Sequence, residues 1–211
     1  MIAFDITEQQ RRELYDEVKR ATPHSDIYWP DHVFPIARNC RVYATYLSQK
    51  LDHPWDINPT LCELGGLLHD IGYTKEYESI ENDHITRGVR FARDILTKVG
   101  ITDEPLERII DIIWTHDGNL TRSAYQLPPQ ENILVNDVDA MQFFDWPFPS
   151  MIEFSKRLRS KEEEKEIIRG IKIHADHTYS LMYSEFFKNL ARPKYHAFVE
   201  NLKIQFPRLG L

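Results

Sequence analysis

The chain has 211 residues, with 33 Asp and Glu against 26 Lys and Arg for a formal net charge of −7, and it is 42% hydrophobic, 28% charged and 12% aromatic. That balance belongs to globular proteins and excludes collagen-like, coiled-coil and disordered sequence, and a chain of this size can bury about 70% of its surface. No apolar run approaches the roughly 18 residues of a membrane span, and the opening MIAFDITEQQRRELYDE carries charge where a signal peptide is apolar, so a cytoplasmic protein without a membrane partner is expected. With no block of about five or more basic residues, the acidic balance also argues against nucleic acid and for a small-molecule or protein partner. Cys40 and Cys62 are too few for a disulfide framework and sit among apolar neighbours, which predicts buried thiols.

Helical periodicity dominates and strand alternation is almost missing. Thr7 and Gln10 form a capping-box pattern for a first helix of about 14 residues carrying Leu14, Tyr15 and Val18. An irregular Pro-rich stretch, ATPHSDIYWP, follows. Asp31 is the expected N-cap of a second helix, with Pro35 in its first turn and the stripe Val33, Ile36, Ala37, Cys40, Tyr43, Ala44, Leu47, Leu51. Asn58 followed by Pro59 starts a third, which Gly72 stops. A fourth runs from about Asp83 to Val99 before Gly100, a fifth from about Thr102 to His116 before Gly118, and a sixth begins near Pro129. Beyond WPFPS the pattern predicts a short helix near residues 150–159, a long one over about 161–189, and a last one after Pro193. The acidic run KEEEKE suits the start of the long helix through its macrodipole. No linker divides the chain, so one all-α domain over residues 1–211 is expected, with its core at about 30–145 and a helical C-terminal extension over about 146–211.

Chemistry concentrates on five successive helices. His32 shares the stripe of Ile36 and Cys40; His69 falls on the face of Leu61, Leu64, Gly65 and Leu68, with Asp70 beside it. His84 precedes Gly88, Phe91, Ala92 and Ile95 on an apolar side, His116 ends the stripe Leu106, Ile109, Ile110, Ile113, and Asp139 follows Val135 and Val138. Any one such histidine reads as a satisfied core residue. A buried Asp70 does not, because no Lys or Arg lies on its own helix to pair with it. A divalent cation would supply the missing positive charge and accept both N and O ligands.

His32 in DHVFPIARNCRVYA, the doublet His69-Asp70 in LLHDIGYTK, and the late acid in ILVNDVDAMQFF together resemble the HD-domain superfamily of metal-dependent phosphohydrolases, over about residues 30 to 145. His84 in DHITRG and His116 in IIWTHDG are similar to the added ligands of two-metal members. The late motif offers both Asp137 and Asp139; Asp139 is chosen because Asp-Ala-Met-Gln matches the family's small and apolar setting. The resemblance implies an HD-type helical bundle in which His32, His69, Asp70 and Asp139 hold one ion and His84, His116 and the other oxygen of Asp70 hold a second. Fe, Mn, Co, Ni or Zn suits such a mixed set better than Ca. The implied reaction is cleavage of a phosphoester of a small molecule, such as a nucleotide, by metal-activated water. Asp70 and Lys75 are the implied catalytic residues, Lys75 as the first phosphate partner, ahead of Arg38, Arg87 and Arg122. The superfamily also contains diiron oxygenases with a similar ligand order, and a metal-binding regulatory module without turnover is a third alternative.

His174 and His177 share a helix face, but no third ligand accompanies them, which predicts a surface or packing role. His24, His53 and His196 draw no role. Phe143, Phe144, Trp146 and Phe148 are expected to pack as core.

Overall fold

The computed structural model describes residues 3–22, 24–50, 52, 54–73, 83–118, 120–159 and 163–210. Nine α-helices and no strand occur among the described residues. The chain divides into two compact units, Met1–Asn136 and Asp137–Leu211.

In the first unit α1 (Glu8–Ala21) opens on the expected capping box, with Thr7 accepting from the Gln10 N–H and the Gln10 side chain returning to the Thr7 backbone. α2 (Phe34–Ser48) buries Ile36, Ala37, Cys40, Ala44 and Leu47. α3 (Pro59–Leu68) starts at Asn58, whose side chain accepts from the N–H groups of Thr60 and Leu61, and every one of its residues from Thr60 onward is buried. α2 and α5 (Asp103–Thr115) both pack on α3, α4 (His84–Lys98) packs on α5, and α1 touches α3 and α4. The buried carboxylate of Glu63 on α3 is met by Arg11, by Arg41 at 2.5 Å and by the Tyr15 hydroxyl at 3.0 Å. Both cysteines are buried free thiols, as expected.

Two boundaries in this unit differ from the sequence expectation. The second helical segment begins before Asp31: one π-turn, Trp29–Val33, closed by the Phe34 N–H on the Trp29 carbonyl, leads straight into α2. Pro30 falls at its start and Pro35 in the first turn of α2, where proline costs no ladder bond. α3 ends at Leu68 and not at Gly72; the chain then tightens through His69 and Asp70 into a 3-10 turn, Ile71–Tyr73.

α6 (Gln130–Phe143) crosses the division between the units. The second unit continues with α7 (Phe148–Leu158), α8 (Glu164–Ser180) and α9 (Glu185–Gln205). The single long helix expected over about 161–189 is therefore two helices, and α9 runs through Pro193 where a start was expected. A tertiary contact holds the break: Asp137 accepts from the N–H groups of Tyr183 at 2.9 Å and Ser184 at 2.7 Å, fixing the turn that leads into α9. Phe143, Phe144, Trp146 and Phe148 are all buried, as their density predicts. His174 and His177 are exposed on α8, the His174 ring edge-on to Phe143 at 4.9 Å.

Candidate metal centre

Three short structural devices bring the histidines together. The π-turn sets His32 on the buried side at the start of α2. The tight turn after α3 places the His69-Asp70 doublet at the helix C-terminus. Gly72, just beyond it, lies so close to α4 that an added Cβ would stand 1.7 Å from the His84 carbonyl oxygen. That contact presses the first turn of α4 against the doublet, and Asp83 caps the turn through the N–H groups of Ile85 and Thr86. His116 is the C-cap residue of α5.

Asp70 stands at the centre. Its Oδ2 faces His32 Nε2 at 3.4 Å and His69 Nε2 at 3.2 Å; its Oδ1 faces His116 Nε2 at 3.3 Å and His84 Nε2 at 3.9 Å. Two donor groups result, His32–His69–Asp70 and Asp70–His84–His116, and within each the ligand atoms lie within 4.8 Å of one another. Donors bound to one ion at about 2.1 Å lie about 3–4 Å apart, so each group fits a cation with small side-chain rotations.

The histidines are oriented from behind. His69 Nδ1 donates to the Gly66 carbonyl at 2.8 Å and His116 Nδ1 to the Ile113 carbonyl at 2.6 Å, which leaves Nε2 of each ring turned toward Asp70. Tyr28 stacks on the His32 ring at 4.8 Å and Tyr73 on the His84 ring at 4.5 Å. Burial pushes the Asp70 carboxyl up, but the charge of His69 and hydrogen bonds from His116, His32 and His69 outweigh it and hold the group well below the usual carboxylate range. Burial pulls the His116 imidazole down, yet its hydrogen bond to Asp70 and that acid's charge lift it above the ordinary value. For His84 burial prevails and the imidazole is lowered.

The HD-domain family model matches residues 32–143, more than half of the chain. The chain belongs to the HD-domain family. That family consists mostly of metal-dependent hydrolases, and the His and Asp groups of this HD domain could hold a divalent metal. No curated protein and no solved structure matches the chain.

Of the sequence-predicted site residues, the HD-domain structure brings together His32, His69, Asp70, His84 and His116. Asp139 lies in the second unit, half-buried on α6, so its place among the ligands rests on its sequence setting. Its rival Asp137 is fully buried with its oxygens on the α9 cap. Lys75 lies outside the described residues. Arg87 is buried with its Nε on the Gly72 carbonyl at 2.8 Å, Arg122 lies over the Trp114 ring, and Arg38 is exposed. Sequence reasoning missed Tyr28 and Tyr73. The usable signal for Tyr28 was its spacing, four residues before His32, which two prolines made look non-helical.

No helix among the described residues is long and apolar enough to cross a membrane.

Proposed function

We propose that this HD-domain protein is a metal-dependent phosphohydrolase that uses two divalent transition-metal ions to cleave a phosphoester of a small molecule, with nucleotides the first class to test. The observation that carries the reading is the division of labour on one carboxylate: each oxygen of Asp70 faces its own pair of imidazole Nε2 atoms. A largely buried acid shared by two histidine pairs is a donor set that would hold two divalent ions, and those ions would supply the Lewis acidity that phosphoester hydrolysis needs.

When bound, the ions supply Lewis acidity, polarising phosphoryl oxygens and lowering the pKa of water toward neutrality. The chain's own contribution is orientation and exclusion. His69 and His116 are locked by their Nδ1 bonds to Gly66 and Ile113, so Nε2 is presented without a tautomer change. His32, His69 and His116 are buried, which keeps bulk water from competing for the imidazoles. The stacked Tyr73 shields the half-buried His84. Four imidazoles to one carboxylate favour Fe, Mn, Co, Ni or Zn over Mg or Ca. Asp139 completes the first ligand group in this proposal, and Lys75 serves as phosphate partner, both from their sequence positions.

Elemental analysis of protein purified without chelators should return two transition-metal ions per chain, and anaerobic assay with Mn²⁺, Co²⁺ or Ni²⁺ should cleave a chromogenic phosphoester or a nucleotide from a panel. His84→Ala and His116→Ala should each lower the content toward one ion. Turnover that needs Fe(II) and consumes O₂ would replace the hydrolase with the oxygenase reading, and metal binding with no turnover would leave a regulatory module.

A further inference from the structure

A phenol also reaches the shared carboxylate. The Tyr28 hydroxyl donates to Asp70 Oδ2, the oxygen that also faces His32 and His69. Tyr28 is 2% exposed and doubly held: its ring stacks on His32 with an interplanar angle of 23°, and its edge meets Tyr73 at 6.5 Å and 90°. It precedes His32 by one helical turn, so the π-turn that delivers this histidine also delivers the hydroxyl.

A carboxylate serving two ion positions must aim each oxygen at a different histidine pair. Rotation about the Cβ–Cγ bond of Asp is soft and roughly two-fold, so the imidazoles alone leave the plane of the group weakly determined. A charge-assisted O–H···O⁻ bond on one oxygen fixes that plane, and the contact on Oδ2 thereby also aims Oδ1 at His84 and His116. We infer that Tyr28 is a positioning residue whose hydroxyl orients Asp70 so that its two oxygens face two different histidine pairs. The inference rests on the metal-site reading above and lies outside the residues matched by the family model, which begin at His32.

Tyr28→Phe isolates the hydroxyl, since the stacked ring, its burial and its edge contact remain possible. Cobalt titration of the chelator-treated full chain, followed by the visible d–d bands, reads affinity and ligand geometry without any substrate. Removing a hydrogen-bond partner behind a metal ligand typically costs about 10–100-fold in metal affinity, and that loss is expected for Tyr28→Phe, together with an altered band envelope. The melting temperature of the metal-free variant should fall by no more than about 4 °C, the shift that about 1 kcal/mol produces in a chain of this size. Tyr28→Leu, which also removes the stacked ring, should lose at least as much affinity. Unchanged cobalt affinity in Tyr28→Phe with cobalt bound by the wild type overturns the positioning role alone, as does an affinity loss accompanied by collapse of the metal-free fold. A wild-type chain that takes up no cobalt overturns both this role and the metal-site reading.

Discussion

Glu63 and Asp70 are buried or nearly so, lie about two helical turns apart along the same stretch of chain, and answer the cost of a buried carboxylate in opposite ways. Glu63 is neutralised within the fold by Arg11 and Arg41 and hydrogen-bonded by Tyr15. Asp70 has only histidine ion-pair partners among the described residues, and imidazoles are as ready to bind a metal as a proton. The two acids therefore predict separable phenotypes. Glu63→Gln should destabilise the chelator-treated protein by about 2 kcal/mol, below the usual 3–5 for a broken buried pair because Arg11 and Arg41 keep access to water. Its metal content should not change. Asp70→Ala should drop metal content from two ions toward none, and activity with it. Urea unfolding and elemental analysis of the same two proteins decide the matter; full metal occupancy in Asp70→Ala would contradict a bridging role. From sequence neither acid has a Lys or Arg on the helix predicted from Asn58 to Gly72, and Asp70 stood out because it follows His69 in a doublet. Glu63 carried no such neighbour, and its partners Arg11 and Arg41 come from α1 and α2, out of reach of a local reading.

At the scale of helices, what was legible followed the strength of local rules. The Thr7–Gln10 box, the Asn58-Pro59 start and the Gly100 stop are encoded within a few residues and all occur, Gly100 with φ +81°. Local rules failed where a distant group holds a turn, as Asp137 does for Tyr183 and Ser184 ahead of α9, or where proline removes only a bond the helix can spare, as at Pro30 and Pro35. Glycines illustrate the same limit, because a stop signal in sequence can be a close approach in space. Gly72→Ala would put its Cβ 1.7 Å from the His84 carbonyl oxygen and 2.6 Å from the Gly88 nitrogen, both backbone atoms that cannot turn aside. α4 must then retreat and take His84 with it, so a loss of at least about 1–3 kcal/mol is expected, with metal content falling toward one ion. Gly170→Ala, inside α8, meets only an Arg159 guanidinium nitrogen at 2.9 Å, the far end of a flexible chain, and should stabilise by about 0.5–1 kcal/mol. Thermal unfolding of both variants, with elemental analysis of the first, tests the opposite signs.

Across the whole chain, the histidine pattern was readable because five successive segments repeat one relation between a ligand type and an apolar stripe, whereas the extension carried no such motif to read. Within the second unit, the extension packs on the end of α6. The first turn of α6 carries Glu131 and Asn132, bonded to Arg108 and Asp111, and its last residue, Phe143, packs on Phe198 of α9 at 5.5 Å. Phe144 meets Tyr195 at 5.6 Å, and both phenylalanines are less than one-tenth exposed. A chain ending at residue 145 keeps α6 but strips α7, α8 and α9 from these rings. Exposing two phenylalanines that had been buried costs about 1.5–3 kcal/mol each, a large fraction of a typical domain's stability. The truncated chain should therefore bind a hydrophobic dye, aggregate, and lose its cooperative melt, even though every histidine of the two donor groups is still present. Size-exclusion chromatography and dye fluorescence of the 1–145 chain beside the full chain provide the comparison. A monomeric, sharply melting 1–145 protein that still binds two ions would mean that the extension is a separable module and that residues 1–211 do not fold as one domain.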